Sequence, residues 1–153
     1  MTLEVAPLTH THVDALHELL VTEGWTNLAS EVERGVQPPR ALRYVALADA
    51  EVVGFLEGTF WDTSEFACGA YPPPRARVSY MLVAPRARRR GVGRALLHQF
   101  VADAQDAGLH SVALFPDPRE SGDRLAFFAA CGLEQVTGEQ LWAAPLTTAT
   151  DLT

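Results

Sequence analysis

Four segments of the chain repeat their apolar residues every three or four positions, which is the period of an amphipathic helix. In the longest segment, Val92, Leu96 and Phe100 form one row, and Gly108 is placed to end the helix. Gly24 and Gly35 close two of the shorter segments in the same way. The predicted helices cover residues 11–23, 26–34, 91–107 and 123–131.

Shorter apolar runs bounded by turn residues predict the strands. Residues 43–48 and 52–60 flank the turn Asp49-Ala50-Glu51 and therefore form a hairpin. Residues 111–115 are almost wholly apolar, which is typical of a strand inside a sheet. The predicted strands cover 43–48, 52–60, 78–83, 111–115, 133–136 and 140–144, the last two as a closing hairpin.

This order of elements predicts a mixed, mostly antiparallel central sheet with helices on both faces, in the α/β or α+β class. With 153 residues, the chain suits one domain, predicted over 1–146 with a frayed tail at 147–153. No strand is assigned ahead of the first helix. Residues 63–74, rich in proline, form a loop long enough to line a binding site.

Composition excludes several classes of protein. About 48% of the residues are apolar and 20% are charged, as in soluble globular proteins. No apolar run approaches the roughly 20 residues of a membrane span, and the N-terminus lacks a signal-type core. Cys68 and Cys131 cannot form a disulfide framework, and no Cys or His cluster has metal-ligand spacing. We therefore expect no metal, no membrane partner and a cytoplasmic location.

The charge distribution is uneven along the chain. The formal net charge is −7, yet five arginines fall in one window without an acid. A single basic spot on an acidic protein suits a small polyanion better than DNA or RNA, which favour a basic face. A solvated basic loop is the plainer alternative. The arginines of this window are Arg86, Arg88, Arg89, Arg90 and Arg94.

The basic window joins the strand 78–83 to the longest predicted helix. Helix N-termini carry unpaired N–H groups and partial positive charge, glycines allow close approach, and arginines bind phosphate oxygens. Together these features predict a phosphate-binding turn. A Walker loop is excluded because the chain has no lysine, and a Rossmann turn lacks its third glycine, since Leu96 stands there.

The residues Val83-x-Pro85 and Arg88-x-x-Gly91-x-Gly93 resemble the acyl-CoA-binding motif of the GNAT superfamily of acetyl-CoA-dependent N-acetyltransferases. A second resemblance follows at residues 127–133, where Phe127-Phe128 and Gly132-Leu133 match the family's aromatic pair and its closing glycine. The resemblance covers 78–133 well and the whole element order loosely. It implies the GNAT fold and acetyl-CoA as the co-substrate.

The resemblance also implies where the cofactor lies. The pyrophosphate would rest on backbone amides of 88–94, and the pantetheine arm would run beside 81–83. Ser121 stands where many members carry an asparagine that contacts this arm, and Arg90 and Arg124 are candidates for the 3′-phosphate. The implied cofactor-binding residues are Met81, Leu82, Val83, Arg88, Arg89, Arg90, Gly91, Val92, Gly93, Arg94, Ser121, Arg124 and Phe128.

The catalytic groups depart from the family pattern. Phe128 stands where many members carry a tyrosine acid, and residues 77–80 lack the usual glutamate base. The resemblance implies that an amide near Val83 polarises the thioester carbonyl. Tyr80 is then the candidate acid, and Glu57 or Glu65 is the candidate base through water. Glu57 points either to solvent or into the acceptor cleft.

The expected function is transfer of an acetyl group from acetyl-CoA to a primary amine, on a small molecule or a peptide, by direct attack in a ternary complex. Two alternatives stay open. One is an acyl-CoA-binding module of the same fold with little or no catalysis, because the usual acid and base are missing. The other is a nucleic-acid-associated protein that uses the arginine cluster, although we expect no nucleic acid as partner. The sequence allows a homodimer but does not require one.

Overall fold

The strands and helices follow the predicted order, with one additional strand at the start. The computed structural model describes residues 2–62, 75–114, 122–135 and 142–146. Its strands are β1 (Leu3–Pro7), β2 (Ala41–Ala48), β3 (Glu51–Asp62), β4 (Arg75–Val83), β5 (Ser111–Leu114), β6 (Glu134–Gln135) and β7 (Trp142–Pro145). Its helices are α1 (Val13–Thr22), α2 (Thr26–Glu33), α3 (Val92–Asp106) and α4 (Gly122–Ala130).

Within the described residues, the strands form one sheet in the order β1-β2-β3-β4-β5-β7-β6. Strands β1 and β2 are antiparallel, as are β5 and β7 and also β6 and β7. Strands β4 and β5 are parallel. The predicted mixed, mostly antiparallel sheet and the α/β class are confirmed.

The sequence predicts no strand ahead of the first helix, and this prediction is wrong because β1 lies there. It pairs with β2 from Leu3↔Ala48 to Pro7↔Tyr44. The segment holds five residues and ends on a proline, so its local signal is weak. Its partner strand is about 40 residues away along the chain, and such long-range pairing leaves no mark on the local pattern.

The described residues divide into two compact units, and the boundary passes through β3, β4 and α3. The first unit consists of Met1–Glu57 and Tyr80–Leu96. In it, a Cβ on Gly54 would lie 2.9 Å from Val92 Cγ1 and 3.1 Å from Leu96 Cδ1. Strand β3 and the first turns of α3 therefore pack in direct contact, and this packing fixes where α3 begins.

The second unit consists of Gly58–Ser79 and Leu97–Thr153. A Cβ on Gly58 would collide with the ring of Phe100, so β3 and α3 are also closely packed here. Strand β5 is buried throughout, as its apolar sequence predicts. Cys131 is a fully buried free thiol. The predicted loop 63–74 and tail 147–153 lie outside the described residues.

Candidate functional site

The basic turn has an unusual backbone conformation. Strand β4 ends at Val83, a 3₁₀ turn follows at Pro85–Ala87, and α3 begins at Val92. Arg89 has φ +63° and Gly91 has φ +81°, both in the left-handed region. Glycine adopts this region without steric cost, whereas a side-chain-bearing residue there is strained. The turn is therefore a specific structure and not an extended loop.

The turn is open to solvent. A Cβ on Gly91 would meet no atom within 4 Å, and residues 88–91 are all exposed. Ala95 donates its N–H to Gly91 O at 3.0 Å. The amides of Val92 and Gly93 precede this bond and have no carbonyl four residues back within the helix. An exposed helix end with such amides and partial positive charge is suited to bind an anion.

Two arginines of the turn contact acidic residues. Arg86 Nη2 lies 3.6 Å from Glu51 Oε2, and Arg88 Nη2 lies 3.3 Å from Glu23 Oε1. The side chains of Arg86 and Glu51 are 61% and 74% exposed, so solvent screens that pair strongly. Arg90 is exposed. The turn therefore keeps an excess of positive charge.

The end of β4 supplies the strand on which the resemblance places the thioester. Pairing with β5 is seen at Ala76–Val78, and β4 continues for five residues to Val83. Met81, Leu82 and Val83 are buried. The N–H of Ala84 donates to Val53 O at 2.8 Å. Because that amide is used inside the sheet, Val83 stays the candidate for contact with the thioester carbonyl.

Tyr80 and Trp25 form an aromatic corner in the first unit. Their rings meet edge to face with centroids 5.4 Å apart. Tyr80 is 39% exposed, and Trp25 lies between α1 and α2. A solvent-accessible phenol therefore stands three residues before Val83 on the same strand.

Glu57 is buried, so the solvent-facing orientation that the sequence left open is wrong. Its Oε1 lies 2.6 Å from Arg43 Nε, and each side chain is only 4% exposed. A buried charge is stable only when it is paired, which explains this contact. Sequence reasoning missed Arg43, although it is the single charge of β2 and Glu57 is the single charge in the middle of β3.

Among the remaining predicted site residues, Arg94 is a half-buried residue of α3 in the first unit, and the others belong to the second unit or lie outside the described residues. Phe128 is buried, with its ring centroid 5.9 Å from that of Phe127 and 6.2 Å from that of Trp142. Arg124 lies in the backbone range of α4, and its side chain is not described. Ser121 and Glu65 are outside the described residues.

Across the described ranges, no group of three or more His, Cys, Asp or Glu side chains is arranged to hold a metal ion. None of the helices in this part of the chain has the length and apolar character needed to cross a membrane.

Taken together, the mixed sheet and the helices define an α/β protein, and the open basic turn at the head of α3 is its candidate anion site. The model of the Acetyltransferase (GNAT) family matches residues 9–133, so the chain belongs to this family. The matched range contains both segments on which the resemblance rests, and the resemblance is confirmed.

Solved structures show the same fold at low sequence identity. AAC(6')-Iy in complex with a bisubstrate analogue, CoA-S-monomethyl-acetylneamine, has a TM-score of 0.75 at 20% identity over 91% of this chain and 95% of its own. A GNAT-family acetyltransferase from Staphylococcus aureus has a TM-score of 0.74 at 10% identity over 95% and 99%. The PaiA N-acetyltransferase of Thermoplasma acidophilum, in complex with coenzyme A, has a TM-score of 0.68 at 16% identity over 94% and 97%. A search of curated protein sequences finds no significant match.

Proposed function

We propose that the protein transfers an acetyl group from acetyl-CoA to a primary amine of a small molecule or a peptide. The amine nitrogen attacks the thioester carbonyl directly, the carbon–sulfur bond breaks, and the thiolate of CoA leaves. The amine loses one proton in the process. Family membership supports the reaction class. The cytoplasmic location and the homodimer stay predictions from the sequence.

One observation carries the proposal, namely the open turn at the head of α3. Gly91 has free space around it, and the leading amides of α3 precede the first helical bond donated by Ala95. The diphosphate of CoA offers oxygens that match such donors. Left-handed residues at 89 and 91 are typical of concave backbone sites for anions. We infer that these amides hold the pyrophosphate and that the arginines add long-range attraction.

The thioester is placed at the end of β4 in this proposal. The part of β4 beyond Val78 can bind an extended pantetheine arm as a further strand would bind, through main-chain hydrogen bonds. An amide of this segment, with Val83 as the candidate, polarises the carbonyl and stabilises the developing oxyanion. Positioning of the amine next to the carbonyl supplies the rest of the acceleration.

Tyr80 is the candidate acid for the leaving thiolate because its phenol is exposed on β4. We assign no proton transfer to Glu57, since its carboxylate is held by Arg43 inside the protein. The attacking amine can lose its proton to solvent, and a thiol leaves as a fairly stable anion.

The acceptor is proposed only as a primary amine. AAC(6')-Iy and AAC(6')-Ih among the similar structures are named as aminoglycoside acetyltransferases. At 20% identity or less they show the fold alone, so an aminoglycoside is one member of the panel to be tested.

The test combines calorimetry of CoA with an assay of CoA release from acetyl-CoA. The amine panel contains an aminoglycoside, a polyamine, an arylalkylamine and a short peptide. We expect Gly91→Glu to abolish CoA binding, since it blocks the backbone approach and adds a repelling charge. Gly91→Ala should weaken CoA binding and lower the unfolding free energy by about 1 kcal/mol, because alanine is strained at positive φ.

Gly35→Ala is the matched control. Gly35 has φ +69° and open space like Gly91, but it lies beyond α2. We expect the same loss of stability and unchanged CoA affinity. If Gly91→Glu binds CoA as the wild-type protein does, the turn is not the cofactor site.

A second candidate function is binding of acyl-CoA without catalysis. The buried Phe128 and the internal ion pair of Glu57 favour it, because neither provides an acid or base. CoA binding with no CoA release for any amine of the panel would support this candidate. Release with even one amine would reject it.

A further inference from the structure

The side chain of Arg88 has two specific contacts in the first unit. Its Nε donates to Val83 O at 3.3 Å, and its Nη2 lies 3.3 Å from Glu23 Oε1. Glu23 is only 18% exposed, whereas the Arg88 side chain is 57% exposed. The guanidinium therefore connects the end of β4 with the end of α1.

Glu23 belongs to a short corner between α1 and α2, which we call the 23–25 corner. Gly24 in its middle has φ +85°, so the main chain turns sharply between Glu23 and Trp25. One of them, Trp25, meets the ring of Tyr80 edge to face. The corner thus contacts β4 through Tyr80 and the basic turn through Arg88.

We propose that the side chain of Arg88 is a positioning residue for the acceptor side of the site and not a phosphate ligand. Its main chain remains part of the cofactor turn, while its guanidinium holds the 23–25 corner, and with it Trp25, beside Tyr80. This inference rests on the proposed function, in which Tyr80 and Val83 lie next to the reacting thioester. Arg88 then has two separate roles, one for its main chain and one for its side chain.

The two roles differ in how strongly each would change a binding equilibrium and in the contact geometry that each requires. An exposed ion pair is worth roughly a twofold to fivefold change in an equilibrium. A charge-assisted hydrogen bond to a phosphate is worth roughly tenfold to hundredfold. Arginine can reach two partners with Nε and Nη2, whereas lysine binds phosphate as a point charge but cannot span both contacts.

The first experiment measures CoA affinity by calorimetry for the double variant Glu23→Gln/Arg88→Gln. Both members of the ion pair become neutral, so the net charge near the turn is unchanged. We expect a dissociation constant within about fivefold of the wild-type value, the most that loss of an exposed pair alone would cause. A rise of about tenfold or more would show that Arg88 binds phosphate and would overturn the proposal.

Arg90→Gln serves as the control, because Arg90 is an exposed arginine of the same turn. It removes one positive charge and leaves the contacts of Arg88 in place. Its effect on CoA affinity gives the loss expected for an arginine of this turn that remains available to a phosphate. The proposal requires the double variant to lose less affinity than this control.

The second experiment follows Trp25 directly by fluorine NMR of protein labelled with 5-fluorotryptophan. The chain has three tryptophans, and Trp25→Phe assigns the signal. We expect Arg88→Lys and Glu23→Gln each to shift the Trp25 signal, and their combination to shift it no further, since both remove one contact. Arg90→Gln should leave the signal in place.

An unchanged Trp25 signal in both single variants would overturn the proposal, whatever the affinity for CoA. For the panel amine that the wild-type protein acetylates fastest, the acceptor KM should rise in Glu23→Gln/Arg88→Gln while the KM for acetyl-CoA holds. If the wild-type protein binds no CoA, the proposed function fails, and the NMR comparison still decides whether Arg88 holds the corner.

Discussion

Arg43 and Glu57 are single charges in otherwise apolar stretches of neighbouring strands, and they meet inside the first unit. Taking both charges out of water is expensive, and their attraction offsets this cost only in good geometry. Arg43 Nη2 is buried and finds no hydrogen-bond partner among the described residues. The pair is therefore a buried structural contact of the first unit, and we expect its removal to affect mainly the stability of the fold.

Glu57→Gln tests this role. The variant leaves the buried Arg43 without a counter-charge, so we expect the free energy of unfolding to fall by about 3–5 kcal/mol. The double variant Arg43→Leu/Glu57→Leu removes both charges and should regain most of that loss. Urea unfolding followed by circular dichroism measures both. An unchanged urea midpoint together with a large fall in kcat would instead identify Glu57 as a group that acts in the reaction.

At the scale of elements, the approach of α3 to β3 places the head of the helix. Two glycines of β3 make room for it. A Cβ on Gly54 would press on Val92 and Leu96, and one on Gly58 would overlap the ring of Phe100. Gly54 thus faces the first turns of α3, next to the basic turn, and Gly58 faces the middle of the helix.

Gly54→Ala and Gly58→Ala should separate stability from cofactor binding. Overpacking costs about 1–3 kcal/mol, and we expect the larger loss for Gly58→Ala because its contact is closer. Gly54→Ala should weaken CoA binding more than its stability loss alone would, since Val92 opens the helix that carries the amides. Thermal unfolding and calorimetry of CoA measure the two effects. Equal CoA affinity in both variants would mean that the head of α3 tolerates displacement.

The elements that the sequence predicts are those with local signals. Helix α3 is marked by its apolar row and by Gly108, and the β2–β3 hairpin is marked by Asp49-Ala50, which both adopt positive φ. The basic turn is equally local, because its glycines, arginines and helix start are contiguous. Strand β1 and the Arg43–Glu57 pair depend on partners distant in sequence, and the local pattern does not identify those partners. The bridge from Arg88 to Glu23, 65 residues apart, belongs to the same group.

At the scale of the whole molecule, the net charge and the local charge have opposite signs. The chain carries −7, whereas the window from Arg86 to Arg94 contains five arginines and no acid. An anion far from the surface is repelled by the net negative charge of the protein. An anion at the basic turn is attracted by the arginines beside it. Which of the two effects is larger depends on the distance between the anion and the charges, because salt at 0.1 M screens charges beyond about 10 Å.

The salt dependence of CoA binding shows whether the arginines at the turn or the net charge of the protein has the larger effect. Raising the ionic strength from about 0.01 M to about 0.15 M shortens the screening length from about 30 Å to about 8 Å. If the arginines at the turn dominate, CoA binds more weakly at the higher salt, and Arg90→Gln reduces this dependence. If the net charge dominates, screening relieves the repulsion and CoA binds more tightly. We expect the first result, because the proposed diphosphate lies within contact distance of the turn while most of the acids are spread over the rest of the chain.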